Sequence, residues 1–155
     1  GTIVAILASC TPGPTGPNCG TIQFSWKANG TYYEGNTDYH FDPDWTNLHN
    51  YAFSPCTGGA NSPSMTIKLH VPLQTGTYTM YSVNDADYPL QGYASYLDGS
   101  GSSYYDTDST HSGTVVLTTV APDSAITGTF SFNTLHSTSA ATINITEGTF
   151  TAIPQ

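Results

Sequence analysis

Arginine is absent from this 155-residue chain, and lysine occurs only twice, at Lys27 and Lys68. Charged residues make up 8% of the sequence, where a globular protein carries about 25%. With eleven acidic residues the net charge is −9. Nucleic-acid binding rests on Lys and Arg neutralising phosphates, so two lysines exclude it. The same shortage excludes docking on anionic lipid, which leaves a covalent lipid as the only route to a membrane. No CxxC pair occurs among the three cysteines, and the five histidines are scattered, so a structural zinc site is not expected. Long amphipathic helical stripes are also missing.

What is present instead is Thr, Ser, Asn, Gly and eleven tyrosines, a mix that suits a solvated β-protein. Alternation with period two dominates. Residues 21–27 place Ile22, Phe24 and Trp26 on one face, and Asn29-Gly30 then supplies the strongest short hairpin signal before Tyr32 and Tyr33. In residues 64–71, Met65, Ile67, Leu69 and Val71 face inward while Thr66, Lys68 and His70 face outward. Residues 77–81, 114–120 and 126–133 continue the pattern. Ile143 and Ile145 face inward until Glu147-Gly148 interrupts, and a bulge there would let Phe150 and Ala152 take over the inner face. Residues 35–63 and 84–111 read as long loops rich in Tyr, Asp, Gly and Ser. The expected fold is all-β: an antiparallel two-sheet β-sandwich, or a related barrel, with an N-terminal apolar strand or arm.

Three segments divide the chain. Residues 1–10 form an apolar arm or the residue of a lipoprotein signal, 11–20 a Pro/Gly hinge, and 21–155 one β-domain. Leu7-Ala8-Ser9-Cys10 looks like a lipobox, which would make Cys10 a lipid anchor and the proline-rich stretch after it a surface tether. Cys19 and Cys56 would then be left as a disulfide pair, although pairings through Cys10 stay open. Alternatively Ile3, Val4, Ala5, Ile6 and Leu7 form a strand, either within its own domain or donated to a neighbour's sheet edge.

The segments Ser112-Gly-Thr-Val-Val-Leu-Thr, Ile126-Thr-Gly-Thr-Phe-Ser-Phe and Ile143-Asn-Ile-Thr-Glu-Gly-Thr-Phe-Thr resemble the closing strands of a domain of unknown function found in Bacteroidetes surface lipoproteins. Gly76-Thr-Tyr and residues 24–30 are similar to its earlier strands. The resemblance implies an antiparallel β-fold and an exported, often lipid-anchored protein. It brings no catalytic residues with it.

Candidate chemistry is sparse. No nucleophile-elbow GxSxG is present, and the abundant Ser and His residues form no motif, so an enzyme is not expected. Oxygen-rich acidic clusters, chiefly Asp98 with Asp106 and Asp108, could hold Ca²⁺; no other cofactor is implied, and turn-forming aspartates are the plainer reading. Trp45, Tyr93, Tyr96, Tyr104 and Tyr105 could present sugar-stacking faces in the loops, or else simply cover the sheets. Asn29 and Asn144 head N-glycosylation sequons, and Ser109 and Ser124 sit in short motifs that resemble bacterial O-glycosylation sites. Two functions at the outer cell surface are compatible with these features. One is a self-assembling, pilus-like filament subunit that uses its N-terminal strand for donor-strand contacts. The other is a lipoprotein anchored through Cys10 that acts as a glycan- or Ca²⁺-binding module. The apolar arm and its hinge put the first ahead.

Overall fold

The computed structural model describes residues 23–43, 49–56, 63–82, 91–100, 103–121 and 125–152. Ten strands run through them: β1 (Gln23–Ala28), β2 (Thr31–Pro43), β3 (His49–Cys56), β4 (Ser64–His70), β5 (Gly76–Met80), β6 (Gln91–Leu97), β7 (Tyr104–Asp106), β8 (Gly113–Ala121), β9 (Ala125–His136) and β10 (Thr142–Ala152). Among the described residues there is no helix.

The strands join in one sheet in the order β10-β1-β2-β3-β4-β6-β5-β8-β9, and β9 pairs back onto β10. The sheet therefore closes on itself, which is the barrel form of the expected all-β fold. Its pairing is antiparallel throughout except between β5 and β6, which run parallel. Topology requires this departure: a ring of nine strands cannot alternate direction all the way round, so one neighbouring pair must match. The seventh strand supplies a second closure. It pairs with β6 at Ser95–Leu97 and with β9 at Leu135 and His136, beyond the stretches where β5 meets β6 and β8 meets β9. One end of the barrel thus counts nine strands, with β5 and β8 between β6 and β9. The other counts eight, with β7 alone in that gap.

Local chemistry explains the hairpins. Asn29 and Gly30 have φ of 46° and 84°, the left-handed pair of a two-residue primed turn that fits the right-handed strand twist. Asn29 is also tied to β10, its N–H donating to Asn144 O and its Oδ1 accepting from Asn144 N–H, both at 2.9 Å. The expected bulge lies where the register of β10 slips between Ile145 and Gly148 against β9. Glu147 takes φ of 51° there. A Cβ on Gly148 would overlap the Phe130 ring, so only glycine fits this crossing. Past it, Phe150 and Ala152 are buried as the face switch requires.

Inward side chains fill the barrel rather than line a channel. Phe24, Trp26, Met65, Ile67, Leu69, Tyr78, Met80, Val115, Leu117, Ile126 and Ile145 are all nearly or wholly buried. Val71, expected to face inward, lies past the end of β4 and is only half-buried. The segments read from sequence as loops prove to contain the second half of β2 together with β3, β6 and β7.

Candidate functional site on the outer wall

The inward alternation of β4 and β6 fixes what they show outside. With Met65, Ile67 and Leu69 buried on one strand and Gly92, Ala94 and Tyr96 on the other, the outer wall receives Ser64, Thr66 and Lys68 beside Tyr93, Ser95 and Leu97. Register sets these directly opposite: Lys68 against Tyr93, Thr66 against Ser95 and Ser64 against Leu97. On the far side of β6, Asp106 faces Ser95 and Tyr104 faces Leu97. A hollow of 510 Å³ opens along this wall, lined by Thr66, Lys68, Tyr93, Ser95, Asp106 and Asp108 together with Leu135 and further Ser and Thr side chains. That volume falls within the usual range for small-ligand sites, about 300–1,000 Å³.

Lys68 Nζ lies 5.5 Å from the centroid of the Tyr93 ring, a cation–π contact that braces the ring. At the other side Asp108 closes a turn. Its Oδ1 accepts from Thr110 N–H at 2.6 Å, Thr110 Oγ1 at 2.8 Å and His111 N–H at 2.6 Å, and its Oδ2 sits 3.1 Å from His111 Nδ1. Partial burial pushes the Asp108 carboxyl upward, but the donors on His111 and Thr110 outweigh it and hold the group well below the usual carboxylate range. Asp108 is therefore a fixed anion at the groove's edge.

Thr107 lies under the groove where β5 and β7 meet end to end. It is 2% exposed. Its Oγ1 accepts from Ala94 N–H at 2.9 Å and donates to Tyr81 O at 2.6 Å, while its own N–H donates to Ala94 O at 2.9 Å. One side chain thus joins β6 to the ends of both strands that share its flank.

The sequence-derived candidates divide between inside and outside. Tyr93 and Tyr104 are on the outer wall, and Tyr104 is 56% exposed. Tyr96 and Tyr105 instead point into the core at 2% and 9% exposure, because they occupy the inward phase of β6 and β7. Burial pushes the Tyr96 hydroxyl up to about 12. Trp45, Ser124, Cys10, Cys19 and the arm residues Ile3, Val4, Ala5, Ile6 and Leu7 lie outside the described residues, and Cys56 ends β3. Asp98 does not join Asp106 and Asp108. It closes its own turn just past the end of β6, accepting from Ser100 N–H at 2.8 Å, and stands ~10 Å from Ser95, the residue that faces Asp106. Among the described residues no three His, Cys, Asp or Glu side chains converge as a metal site. Asn29 and Asn144 are exposed, as is Ser109 in the Asp108 turn. Sequence reasoning missed the roles of Lys68 and Thr107, which depend on register across strands far apart in the chain.

A side-chain-filled β-barrel with a lateral groove on its wall defines the class of protein. The chain belongs to the family described as a domain of unknown function (DUF6252), whose model matches residues 56–154. That segment holds every residue named above in the groove. No curated protein and no solved structure matches the chain.

Proposed function

We propose that this chain is an extracellular, non-catalytic binding module of a bacterial cell surface that holds a glycan in the groove on the β4–β6–β7 wall. The observation that carries the reading is the braced Tyr93 ring on β6 in one hollow with the Asp106 and Asp108 carboxylates on its β7 side and the hydroxyls of Thr66 on β4 and Ser95 on β6. Sugars are bound by this combination, an aromatic face for the ring and fixed oxygen groups for the hydroxyls. Asp108, kept ionised by its turn, is fitted to accept hydroxyl hydrogens rather than to deliver a proton. The resemblance to surface lipoproteins supports the location, and Cys10 would supply the anchor. Wild-type protein is expected to bind members of a neutral glycan array, and Tyr93→Ala to weaken that binding about ten-fold or more, some 1.4 kcal/mol. An array without a single ligand, or a Tyr93→Ala variant with unchanged affinity and an intact circular dichroism spectrum, would sink the proposal.

A second reading, a filament subunit, is favoured by one feature of β2. Pairing of β1 with β2 ends at Gln23 opposite Asn36, yet β2 continues to Pro43 against β3. Among the described residues, the edge of Asp38–Pro43 away from β3 faces no strand, and such an edge accepts added strands. On this reading removal of residues 1–9 abolishes assembly as seen by light scattering and electron microscopy. Unchanged assembly, or none in the intact chain, rules it out.

A further inference from the structure

The groove does not end with its first hollow. A second, of 180 Å³, is lined by Ser64, Thr66, Ser95, Leu97 and Tyr104 among others, and Thr66 and Ser95 belong to both. The two are therefore one trough along the outer faces of β4, β6 and β7. Tyr93 stands at one end and Tyr104 at the other. Four residues of β6 separate Tyr93 from Leu97, the partner of Tyr104, so the trough runs about 13 Å along the strands. This length takes several sugar rings in a row rather than one.

Three observations specify the occupant. First, the chain carries −9 net charge, and the trough holds two carboxylates to one lysine. An anionic polymer would be repelled. Second, β4 is flanked by β3 and β6, and β7 by β6 and β9, while β6 itself lies between β4 and the β5–β7 flank. The backbone groups of β6 and of β4 from Ile67 to His70 are paired, and among the described residues β3 leaves β4 without a partner only at Ser64–Thr66, so an extended peptide finds at most a short stretch of edge here. Third, the trough sets the hydroxyls of Thr66 and Ser95 and the carboxylates of Asp106 and Asp108 beside the Tyr93 and Tyr104 rings, with Leu97 and Leu135 adding apolar surface; hydroxyl partners next to apolar and aromatic faces are matched to a polyhydroxylated ligand. We infer that the trough binds a linear, neutral oligosaccharide at two stations, one sugar stacking on Tyr93 and a more distant one on Tyr104, with Thr66 and Ser95 contacting the rings between. This rests on the glycan reading above and names the ligand class of the same site.

Titration calorimetry with neutral glucose, mannose, xylose and galactose oligomers, from mono- to hexasaccharide, tests it. In the binding series, affinity is expected to rise at least ten-fold between the monosaccharide and the tetrasaccharide. Tyr104→Ala, a change at an exposed side chain, should remove that gain, so that the tetrasaccharide binds no more than about two-fold tighter than the monosaccharide. Equal affinity for every chain length overturns the two-station inference while leaving a single-site groove standing. So does a Tyr104→Ala variant with an undiminished gain. Tighter binding of an anionic polysaccharide or a peptide than of any neutral glycan overturns it as well. If no oligomer of any length binds the wild type, the glycan reading falls and takes this inference with it.

Discussion

Truncation of Phe24 to alanine is expected to cost the fold about 3–5 kcal/mol, the usual range for deleting a buried aromatic side chain. Phe24 is wholly buried at the centre of an aromatic cluster. Its ring lies 5.7 Å from Trp26 in an edge-on arrangement, 5.3 Å from Phe130 and 6.0 Å from Phe150. These rings come from β1, β9 and β10, which follow one another around the barrel in the order β9-β10-β1. The surrounding rings are themselves pinned by their strands, so the void left by Phe24 cannot collapse easily, and that puts the loss toward the upper part of the range. A domain of this size has only about 5–15 kcal/mol in total. Urea unfolding of Phe24→Ala should show a large drop in midpoint with an unchanged slope, and Phe24→Leu should recover much of it. A loss below about 1 kcal/mol would mean that the barrel interior is not packed where β1 meets β10.

Much of this architecture was legible in the sequence because the alternation is clean where the inner residues are large. In β4 and in β9 as far as Phe132 every second residue is a bulky apolar group, or, at Gly128, a glycine against the Phe150 ring, and the structure buries those positions. The bulge in β10 was equally legible, since the apolar phase changes parity between Ile145 and Phe150. In β6 the inward residues are Gly92, Ala94 and Tyr96. Two of these have almost no side chain, and the space they leave belongs to neighbours: a Cβ on Gly92 would run into the Lys68 backbone carbonyl and press on the Leu69 and Met80 side chains. Without bulk on the inner face the strand shows no hydrophobic period and reads as a loop. The three-residue β7 is too short to show a period, and its inward tyrosine looks like its outward one.

The groove was hidden for a related reason. Its lining comes from the solvent phase of strands, where Thr, Ser, Lys and Asp are ordinary. Only the register of β4 on β6, and of β6 on β7, sets Lys68 over Tyr93 and Asp106 beside Ser95. Binding residues usually lie in loops, yet the candidate tyrosines belong to β6 and β7, and Tyr96 and Tyr105 of the four point inward. Nothing in a single sequence specifies a pairing between segments this far apart.

The point where the barrel changes from nine strands to eight rests on Thr107, and replacing it by the isosteric valine is expected to cost about 1–3 kcal/mol. Valine keeps the shape of the side chain and removes only the hydroxyl. Ala94 N–H and Tyr81 C=O then lose the partner they share at 2.9 and 2.6 Å. Thr107 is 2% exposed and its bond to the Ala94 amide is buried, whereas the Tyr81 carbonyl is only part-buried, so the loss falls chiefly on the amide, and a buried group without a partner costs about 1–3 kcal/mol. Thr107→Ser should be milder, because the hydroxyl survives and only a methyl is lost. The loss also has a local signature that a simple packing defect would lack. The Ala94 amide is expected to exchange its hydrogen much faster in Thr107→Val than the amides of β10, which lie elsewhere in the ring and unfold only with the whole domain. Asp106 and Asp108 flank Thr107 in the chain and all three line the groove, so loosening this joint should weaken ligand binding through misplacement of the carboxylates as well as through the change at the groove floor. A Thr107→Val variant within about 0.5 kcal/mol of wild type, with Ala94 still protected, would show that the β5–β6–β7 junction is held by the rest of the ring and not by this hydroxyl.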